Sequence, residues 1–333
     1  MKKPNPHKKP PIRFEETQAA IQKISQHLDG DFLSYWVSTN SRIALEDVNA
    51  FYKILKDRVG HQRLFLFIKS DGGSGKGSLR IVHLLRAYYK EIIALVPLEC
   101  ASAATMLALG ANEIRMGPLA FLSAIDTSIT HDLSPVDKYN DLVSVSQNEL
   151  ERVMRLWEAK RQPHDQNPYN AIYQYIHPLV FGAVDRASSL SIKLTTEILS
   201  YHLTDLDQAN RISTHLNEEY PSHSYPITLL EARKTGLNIQ EMDVVLNDLL
   251  ITLNEYYSEM AQLAYTDKDE QNYHDNEILK FVETTGEQLF FQKDKDWHYR
   301  KEEMRWVPMN DESSWQRNVW LNGKVKTEKF FVR

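Results

Sequence analysis

Residues 64–116 carry the clearest alternation of hydrophobic and polar positions in this chain. Two short apolar runs alternate with two segments of helical spacing, in the order 64–68, 78–89, 92–96 and 103–111. Consecutive β-α units of this kind predict a parallel sheet. In such sheets the chemistry lies beyond the carboxyl ends of the strands, where this chain places the pair Gly72 and Gly73 and, after the second run, Ser102.

The rest of the chain is predicted from the same periodicities. We expect helices over 14–28, 44–55, 212–216, 226–237 and 241–263, mostly helix over 142–203, and strands over 32–37 and 121–125. Thr228 can cap the helix that begins near residue 226, and Gly236 can close it. Near the carboxyl terminus, Asn322 and Gly323 stand between short β-like runs and predict a hairpin.

Changes in composition suggest three parts: a tail and lead-in helix over 1–30, a main domain over 31–266, and an appendage over 267–333. The first thirteen residues are basic and rich in proline, and we expect them to be disordered. The appendage carries four tryptophans at 297, 306, 315 and 320 among charged residues. Such residues usually pack a satellite core or a protein interface, and acidic neighbours argue against a nucleic-acid surface.

Length and composition exclude several classes of protein. The chain has 333 residues, 42% of them hydrophobic and 25% charged, which is ordinary for a globular protein. A net charge of -6 gives no basic field for nucleic acid. No run approaches the roughly 20 apolar residues of a membrane helix, and no apolar segment follows the basic tail as in a secretory signal. One cysteine excludes an internal disulfide framework, and we expect a cytoplasmic protein.

The glycine-rich segment 72–78 has two chemical interpretations. A phosphate-binding loop is one, but the spacing fails because Gly77 stands where a serine or threonine should follow Lys76. The other is an oxyanion hole, in which Gly72 and Gly73 expose a backbone N–H at a strand end. Plain turns also use such pairs, so the glycines alone decide nothing.

Ser102 follows a strand and opens a helix of small residues. On residue type alone it is an N-cap. It is also placed to act as a nucleophile whose oxyanion is held by the amides of Ala103 and Gly73. Cys100, two residues earlier, is expected to be inert packing at the end of a buried strand.

The spacing of these motifs resembles the Clp protease and crotonase superfamily, and within it the serine dehydrogenase proteinase family, which is related to signal peptide peptidase. The resemblance rests on the segment 68–73 (IKSDGG), Ser102 in 101–105 (ASAAT), and 108–117 (ALGANEIRMG). The segment 123–126 (SAID) and the block 220–237 support it. It covers roughly residues 32–263, although Asp71 replaces a frequent proline and 123–125 lacks the Gly-Pro of the family.

The resemblance implies a Ser, Asp, His triad in that chain order. Ser102 matches the nucleophile, Asp126 the aspartate, and His223 best matches the base. His177 and His131 are rival bases. A Ser-Lys dyad, as in signal peptide peptidases, is also open, with downstream candidates at Lys138 and Lys160.

The fold expected from the resemblance is α/β: a Clp protease/crotonase-like spiral of β-β-α units with a C-terminal appendage. The expected activity is that of a serine peptidase hydrolysing peptides or unfolded protein through an acyl-enzyme on Ser102, with no cofactor or metal and with assembly into a homo-oligomer. One alternative is a catalytically silent member of the same fold that serves as an assembly or interaction module. Another is acyl-thioester chemistry, which keeps the oxyanion hole and does not need the serine.

Overall fold

A computed structural model of the protein describes residues 9–57, 62–162, 167–321 and 323–330. The described chain forms two compact units, one made of the segments before Ser123 and after Ile227, the other of Ser123 to Ile227. Residues 1–8 of the predicted tail, residues 163–166 within the predicted helical stretch, and Asn322 lie outside the described residues.

Helices and strands alternate through the first half of the chain and strands dominate its end. The α-helices are α1 (Phe14–Ser25), α2 (Asp47–Leu55), α3 (Gly75–Tyr88), α4 (Ala103–Leu109), α5 (Gln147–Glu158), α6 (Pro168–Ile172), α7 (Pro178–Ser200), α8 (Leu206–Thr214), α9 (Leu229–Ala232) and α10 (Val244–Met260). A π-helical turn (His215–Glu219) follows α8, and a 3-10 turn (Arg233–Thr235) follows α9.

Among the described residues, most strands belong to the first unit and two short ones lie in the second. Those before α10 are β1 (Asp31–Val37), β2 (Arg63–Lys69), β3 (Glu91–Val96), β4 (Glu99–Cys100), β5 (Glu113–Met116), β6 (Phe121–Leu122), β7 (Ser128–Ile129), β8 (Val145–Ser146) and β9 (Ile239–Glu241). Those after it are β10 (Tyr265–Thr266), β11 (Asn272–Asp275), β12 (Ile278–Thr284), β13 (Glu287–Gln292), β14 (Lys295–Arg300), β15 (Arg305–Asp311), β16 (Ser314–Leu321) and β17 (Lys324–Phe330).

A large mixed sheet organises the first unit. Its strand order is β17-β16-β13-β12-β1-β2-β3-β5-β9. The strands β1, β2, β3, β5 and β9 are parallel neighbours, which confirms the parallel pairing expected around residues 64–116. The other four are antiparallel and extend the sheet beyond β1. The protein is therefore a mixed α/β structure.

Helices α1 and α10 cover one face of this sheet. On α1 the buried positions Phe14, Thr17, Ile21 and Ile24 recur every three or four residues, which is the period of one helix face. Two of them, Ile21 and Ile24, join a core that contains aromatic side chains of the sheet and the apolar stripe of α10. The members that fill this core include Trp36, Phe65, Phe67, Leu250, Leu253, Tyr257, Phe281 and Phe290. Burial of such side chains contributes roughly 1.5–3 kcal/mol each to stability.

The second unit is mainly helical and has a smaller core. Its hydrophobic cluster joins Val145 and Leu150 to Val180 and Val184 of α7. Helix α5 begins with a capping box, in which Ser146 accepts from the Glu149 amide and the Glu149 carboxylate accepts from the Ser146 amide. This box fixes the start of the helix that carries Asn148 into the candidate site.

Several boundaries differ from the sequence prediction. The strand predicted over 121–125 ends at Leu122, because the chain leaves the first unit at Ser123. The helix predicted over 226–237 is only α9 and its 3-10 turn; Thr228 makes no side-chain cap, whereas Gly236 ends the turn in the left-handed region with φ 87°. The segment 267–333, expected to be an appendage, supplies four strands of the main sheet. Its predicted hairpin is present, since Leu321 pairs with Lys324.

Candidate active site

The loops after β2 and β4 run side by side at the carboxyl ends of their strands. The amide of Ser70 donates to the carbonyl of Glu99 at 3.2 Å, and the amide of Ala101 donates to the carbonyl of Ser70 at 2.9 Å. These two hydrogen bonds continue the parallel pairing past the sheet. The glycine pair and Ser102, which the sequence separates by 29 residues, are thereby brought together in the first unit.

Both glycines occupy positions that other residues could not take. Gly72 has φ 107° and Gly73 has φ 142°, conformations that L side chains rarely adopt. A Cβ on Gly72 would lie 2.7 Å from the Cβ of Ser102, and one on Gly73 would lie 2.4 Å from the carbonyl oxygen of Ile43. Gly72 is therefore glycine because the Ser102 loop passes so close, and Gly73 because the loop around Ile43 does.

Ser102 stands at a strained turn between β4 and α4. Its φ of 55° and ψ of -120° are unusual for a residue with a side chain, and its hydroxyl makes no capping hydrogen bond to α4. Strain of this type costs on the order of 1–3 kcal/mol and is found where function requires it. A serine on a sharp strand-to-helix turn is also how α/β hydrolases present a nucleophile. The capping interpretation of Ser102 is not supported by this geometry.

Two backbone amides beside Ser102 have no intramolecular acceptor among the described residues. Ala103 is the first residue of α4, and the helix bonds begin with the amides of Ala104 and Met106, which donate to Ala101 and Ser102. At Gly73, the pairing with the neighbouring loop uses the Gly72 carbonyl, which accepts from the Ile43 amide, and the Ser74 amide, which donates to the Ile43 carbonyl. Unpaired amides at such a turn are the donors that an oxyanion hole needs.

The second unit contains a histidine-carboxylate pair. His223 Nδ1 lies 2.7 Å from Asp126 Oδ1. The other oxygen of Asp126 accepts from the Asn148 side-chain amide at 3.2 Å, and the same amide donates to the Asn217 carbonyl at 3.0 Å. Asp126 is 13% exposed and His223 is 52% exposed. Asp126 is thus held on one side by Asn148 and presents its other oxygen to the ring.

The hydrogen bonds of three histidines differ in whether Nδ1 meets an acceptor or a donor. A carboxylate only accepts, so His223 must carry its proton on Nδ1, which leaves the Nε2 lone pair to accept another. In His177 and His131 the Nδ1 atom accepts instead, from the amides of Leu179 and Leu133. Those two rings are a helix N-cap and a turn acceptor. Their neutral form protonates Nε2, the opposite of what a triad requires.

The lysine alternatives lack the surroundings of a base. A lysine that abstracts a proton near neutral pH is desolvated. Lys138 and Lys160 are both exposed, and the ammonium of Lys138 lies 4.8 Å from the ring centroid of its neighbour Tyr139. Cys100 is fully buried, and burial raises the pKa of its thiol, in line with the expectation of inert packing.

A cleft of about 350 Å³ opens beside the histidine-carboxylate pair within the second unit. Most of its lining residues are of polar types, among them Asp126 and His223. The other lining residues are Ser128, Ser144, Ser146, Asn148, Glu149, Arg152, Tyr220, Pro221 and Ser222. Sequence reasoning did not single out Asn148, because an asparagine in the first turn of an amphipathic helix has no distinguishing local pattern.

Comparison with known proteins found few relatives. No family model matches the chain. An uncharacterized protein of Methanocaldococcus jannaschii is 22% identical over 265 residues, which cover 75% of this chain and 82% of that protein.

Two solved structures of the 1510-N membrane-bound stomatin-specific protease also match. One is a lysine-to-alanine variant in complex with a substrate peptide, and the other is a serine-to-alanine variant. They are 14% and 13% identical to this chain, cover 68% and 66% of it and 81% of their own length, and have a TM-score of 0.38. These values assign neither a family nor an activity. In the described part of the chain, none of the helices has the length and apolar content to cross a bilayer.

Proposed function

We propose that the protein is a serine peptidase that hydrolyses peptides or unfolded protein through an acyl-enzyme on Ser102. The observation that carries this proposal is the conformation of Ser102: a strained turn holds a serine whose hydroxyl does not cap its helix, beside the amides of Ala103 and Gly73. Structural serines have no need of that strain. We also propose that the chain is a member of the serine dehydrogenase proteinase family and that its fold is the Clp protease/crotonase-like spiral.

In the proposed reaction Ser102 Oγ attacks the carbonyl carbon of a peptide bond while its proton passes to Nε2 of His223. The negative oxygen that forms accepts hydrogen bonds from the Gly73 and Ala103 amides. The carbon–nitrogen bond then breaks, and the amine leaves with the proton from His223. In the second half of the reaction water attacks the ester and gives its proton to His223, which returns it to Ser102 Oγ as the carbon–oxygen bond breaks. Asp126 keeps the His223 proton on Nδ1 and stabilises the ring when it becomes charged.

The first test is covalent labelling with a fluorophosphonate, which reacts with activated serines. We expect labelling of the wild type, none of Ser102→Ala, and undiminished labelling of the control Ser200→Ala, whose hydroxyl donates only to a carbonyl in its own helix. A folded wild type that stays unlabelled contradicts the peptidase proposal and favours a silent interaction module.

The second test assigns the base by comparing three histidine variants. His223→Ala should slow both labelling and peptide hydrolysis by orders of magnitude. His177→Ala and His131→Ala should lose only a local cap or turn bond and keep the full rate. If Lys138→Ala or Lys160→Ala abolishes labelling while His223→Ala is silent, the dyad replaces the triad.

We also propose that the protein self-associates, as the resemblance implies. The described surface of the second unit exposes large apolar side chains, with Leu156 63%, Tyr175 77% and Leu179 61% exposed. A closed symmetric assembly would bury them. Light scattering at micromolar concentration should give a multiple of the 38.7 kDa chain mass, and a monomer mass would refute this part of the proposal. A cytoplasmic location stays a prediction.

A further inference from the structure

A second cavity lies in the first unit, on the four-stranded sheet β10-β11-β14-β15. Its volume is about 610 Å³, within the range of small-ligand pockets. The lining residues are Asn40, Leu263, Tyr265, Lys268, Tyr273, Asp275, Glu277, Lys293, Trp297 and Trp306. None of these belongs to the candidate active site.

The strand register puts five aromatic side chains on one face of this sheet, and four of them line the cavity. Tyr273 pairs with Trp297 on the neighbouring strand. Tyr265 pairs with Asp275, which is two positions after Tyr273. Trp306 is two positions before Pro308, the partner of Trp297. Side chains two positions apart on a strand share a face, so all four rings point the same way. The strand sequence 295–300 (KDWHYR) follows this alternation, with aromatic rings at 297 and 299.

The rings are arranged as a floor with two walls. Tyr273 and Trp297 lie nearly parallel, with 15° between their planes and 6.0 Å between centroids. Trp306 meets Tyr273 at 69° and 4.8 Å, and Tyr265 meets it at 62° and 5.9 Å. A planar ligand ring between Trp306 and Tyr265 can stack on Tyr273 and make edge contacts with the other two rings at the same time.

Each carboxylate oxygen of the cavity has a hydrogen-bond partner within the described chain, whereas one lysine donor has none there. Lys293 lies 3.2 Å from one oxygen of Asp275 and 3.0 Å from one oxygen of Glu277. The remaining oxygens accept from the Glu277 amide at 3.1 Å and from the Asn40 side chain at 2.6 Å. The formal charges of the lining lysines and carboxylates cancel, so hydrogen-bonding capacity decides which ligand fits.

One donor of the cavity is not used within the described residues. The exposed ammonium of Lys268 lies 5.0 Å from the Tyr265 ring centroid and makes no ion pair in the described chain. An anionic group that accepts from this ammonium is favoured, because hydrogen bonds between charged groups are stronger than neutral ones. A cationic ligand would be repelled by Lys268.

We propose that this cavity binds a small ligand made of a planar aromatic ring joined to an anionic group, with the ring on Tyr273 and Trp306 and the anion near Lys268. Nucleotides and aromatic carboxylic acids share this chemistry. The site is separate from the proposed peptidase site, and its binding can be measured without any turnover.

Calorimetric titration of the full-length protein tests the proposal with three probes: adenosine monophosphate, indole-3-acetate and tryptamine. We expect at least one of the two anions to bind and tryptamine, which has the ring with a cation, not to bind. Binding of adenosine monophosphate alone identifies the nucleotide source, and binding of indole-3-acetate alone identifies the aromatic acid. Absence of binding by both anions at millimolar concentration, or tighter binding of tryptamine, overturns the proposal.

Two variants locate the binding, each with a matched control. Trp306→Ala removes a ring on which the ligand stacks, so we expect the affinity to fall about tenfold, whereas Trp320→Ala, similarly exposed but outside the cavity, should leave it unchanged. Lys268→Gln should weaken binding several-fold and reduce its dependence on salt, whereas the exposed control Lys301→Gln should do neither. Equal effects of test and control variants would also overturn the assignment.

Discussion

The strain at Ser102 can be measured by replacing the serine with alanine and with glycine. Ser102→Ala removes a hydroxyl that makes no capping bond, so the free energy of unfolding should fall by less than about 1 kcal/mol. Ser102→Gly relieves a conformation that costs a residue with a side chain about 1–3 kcal/mol. However, glycine lowers the free energy of unfolding by about 0.4–1 kcal/mol, because it increases the conformational freedom of the unfolded chain. The net expectation is that Ser102→Gly is more stable than Ser102→Ala by roughly 1 kcal/mol.

The assay pairs stability with activity. Thermal midpoints of the two variants should differ by roughly 2 °C, since about 1 kcal/mol shifts the midpoint of a large domain by that order. Both should fail to react with the fluorophosphonate. Ser74→Gly is the matched control, because Ser74 also starts a helix after a strand but has an ordinary φ of -80° and caps α3 through the Gly77 amide. It should be slightly destabilised, by a few tenths of a kcal/mol.

Two results would refute this reasoning. If Ser102→Ala is destabilised by clearly more than about 1 kcal/mol, the hydroxyl is structural and the nucleophile assignment loses its main support. If Ser102→Gly is no more stable than Ser102→Ala, the turn does not store strain, and the unusual φ says nothing about function.

Three further predictions concern pH and buried charges. The peptidase rate should rise with pH as His223 loses its proton, this limb should vanish in His223→Ala, and Asp126→Asn should lower the rate across the profile; an unaltered profile in His223→Ala contradicts the triad. Burial raises the pKa of the Glu283 carboxyl from 4.5 to about 7. The stability that the neutral carboxyl contributes is therefore full below pH 4.5 and is lost as pH rises through 7. In urea titrations between pH 4.5 and 8, the free energy of unfolding of Glu283→Gln should rise relative to the wild type by up to roughly 3 kcal/mol. Lys280→Met leaves the buried Asp47 carboxylate unpaired and should cost about 3–5 kcal/mol in the same assay, whereas a loss under 1 kcal/mol would mean that the pair is not structurally important.

The part of the fold that sequence predicts well is the part with local signals. Parallel strands buried on both faces read as continuous apolar runs, and the predicted run 64–68 corresponds to β2. The start of α1 at Phe14 and the left-handed Gly236 were likewise predicted from local spacing. Residues three or four apart on one helix face, or a glycine at a helix end, report on structure within a few positions.

The part that sequence missed depends on pairing over long distances. Strand β12 is a buried central strand, but its charged residues Lys280 and Glu283 interrupt the apolar pattern that would have predicted it. Its partner β1 lies about 250 positions earlier in the chain. Only the structure shows that their charges are met, by Asp47 for the lysine and by hydroxyl and amide groups for the carboxyl. Pairings of this separation leave no periodic trace in either segment.

The candidate site divides in the same way. The closeness of Gly72 to Ser102 was expected because parallel strands end at one edge of a sheet. The pairing of Asp126 with His223 was expected only from the resemblance to a family, because 97 residues separate them and nothing local marks either one. Asn148, which holds the second oxygen of Asp126, was invisible to both kinds of reasoning.

The carboxyl-terminal strand β12 is linked by hydrogen bonds to the loop that packs against Gly73. Lys280 on β12 bonds both oxygens of Asp47 at 2.9 Å, and Asp47 accepts from the amide of Ala44 at 2.8 Å. The next residue back, Ile43, exchanges hydrogen bonds of 2.8 Å with the residues on either side of Gly73. One oxygen of Asp47 therefore accepts from both the Lys280 ammonium and the Ala44 amide, so a single carboxylate joins β12 to the loop that pairs with the residues around Gly73. A segment that composition marks as an appendage thus lies against the loop beside the proposed oxyanion donor.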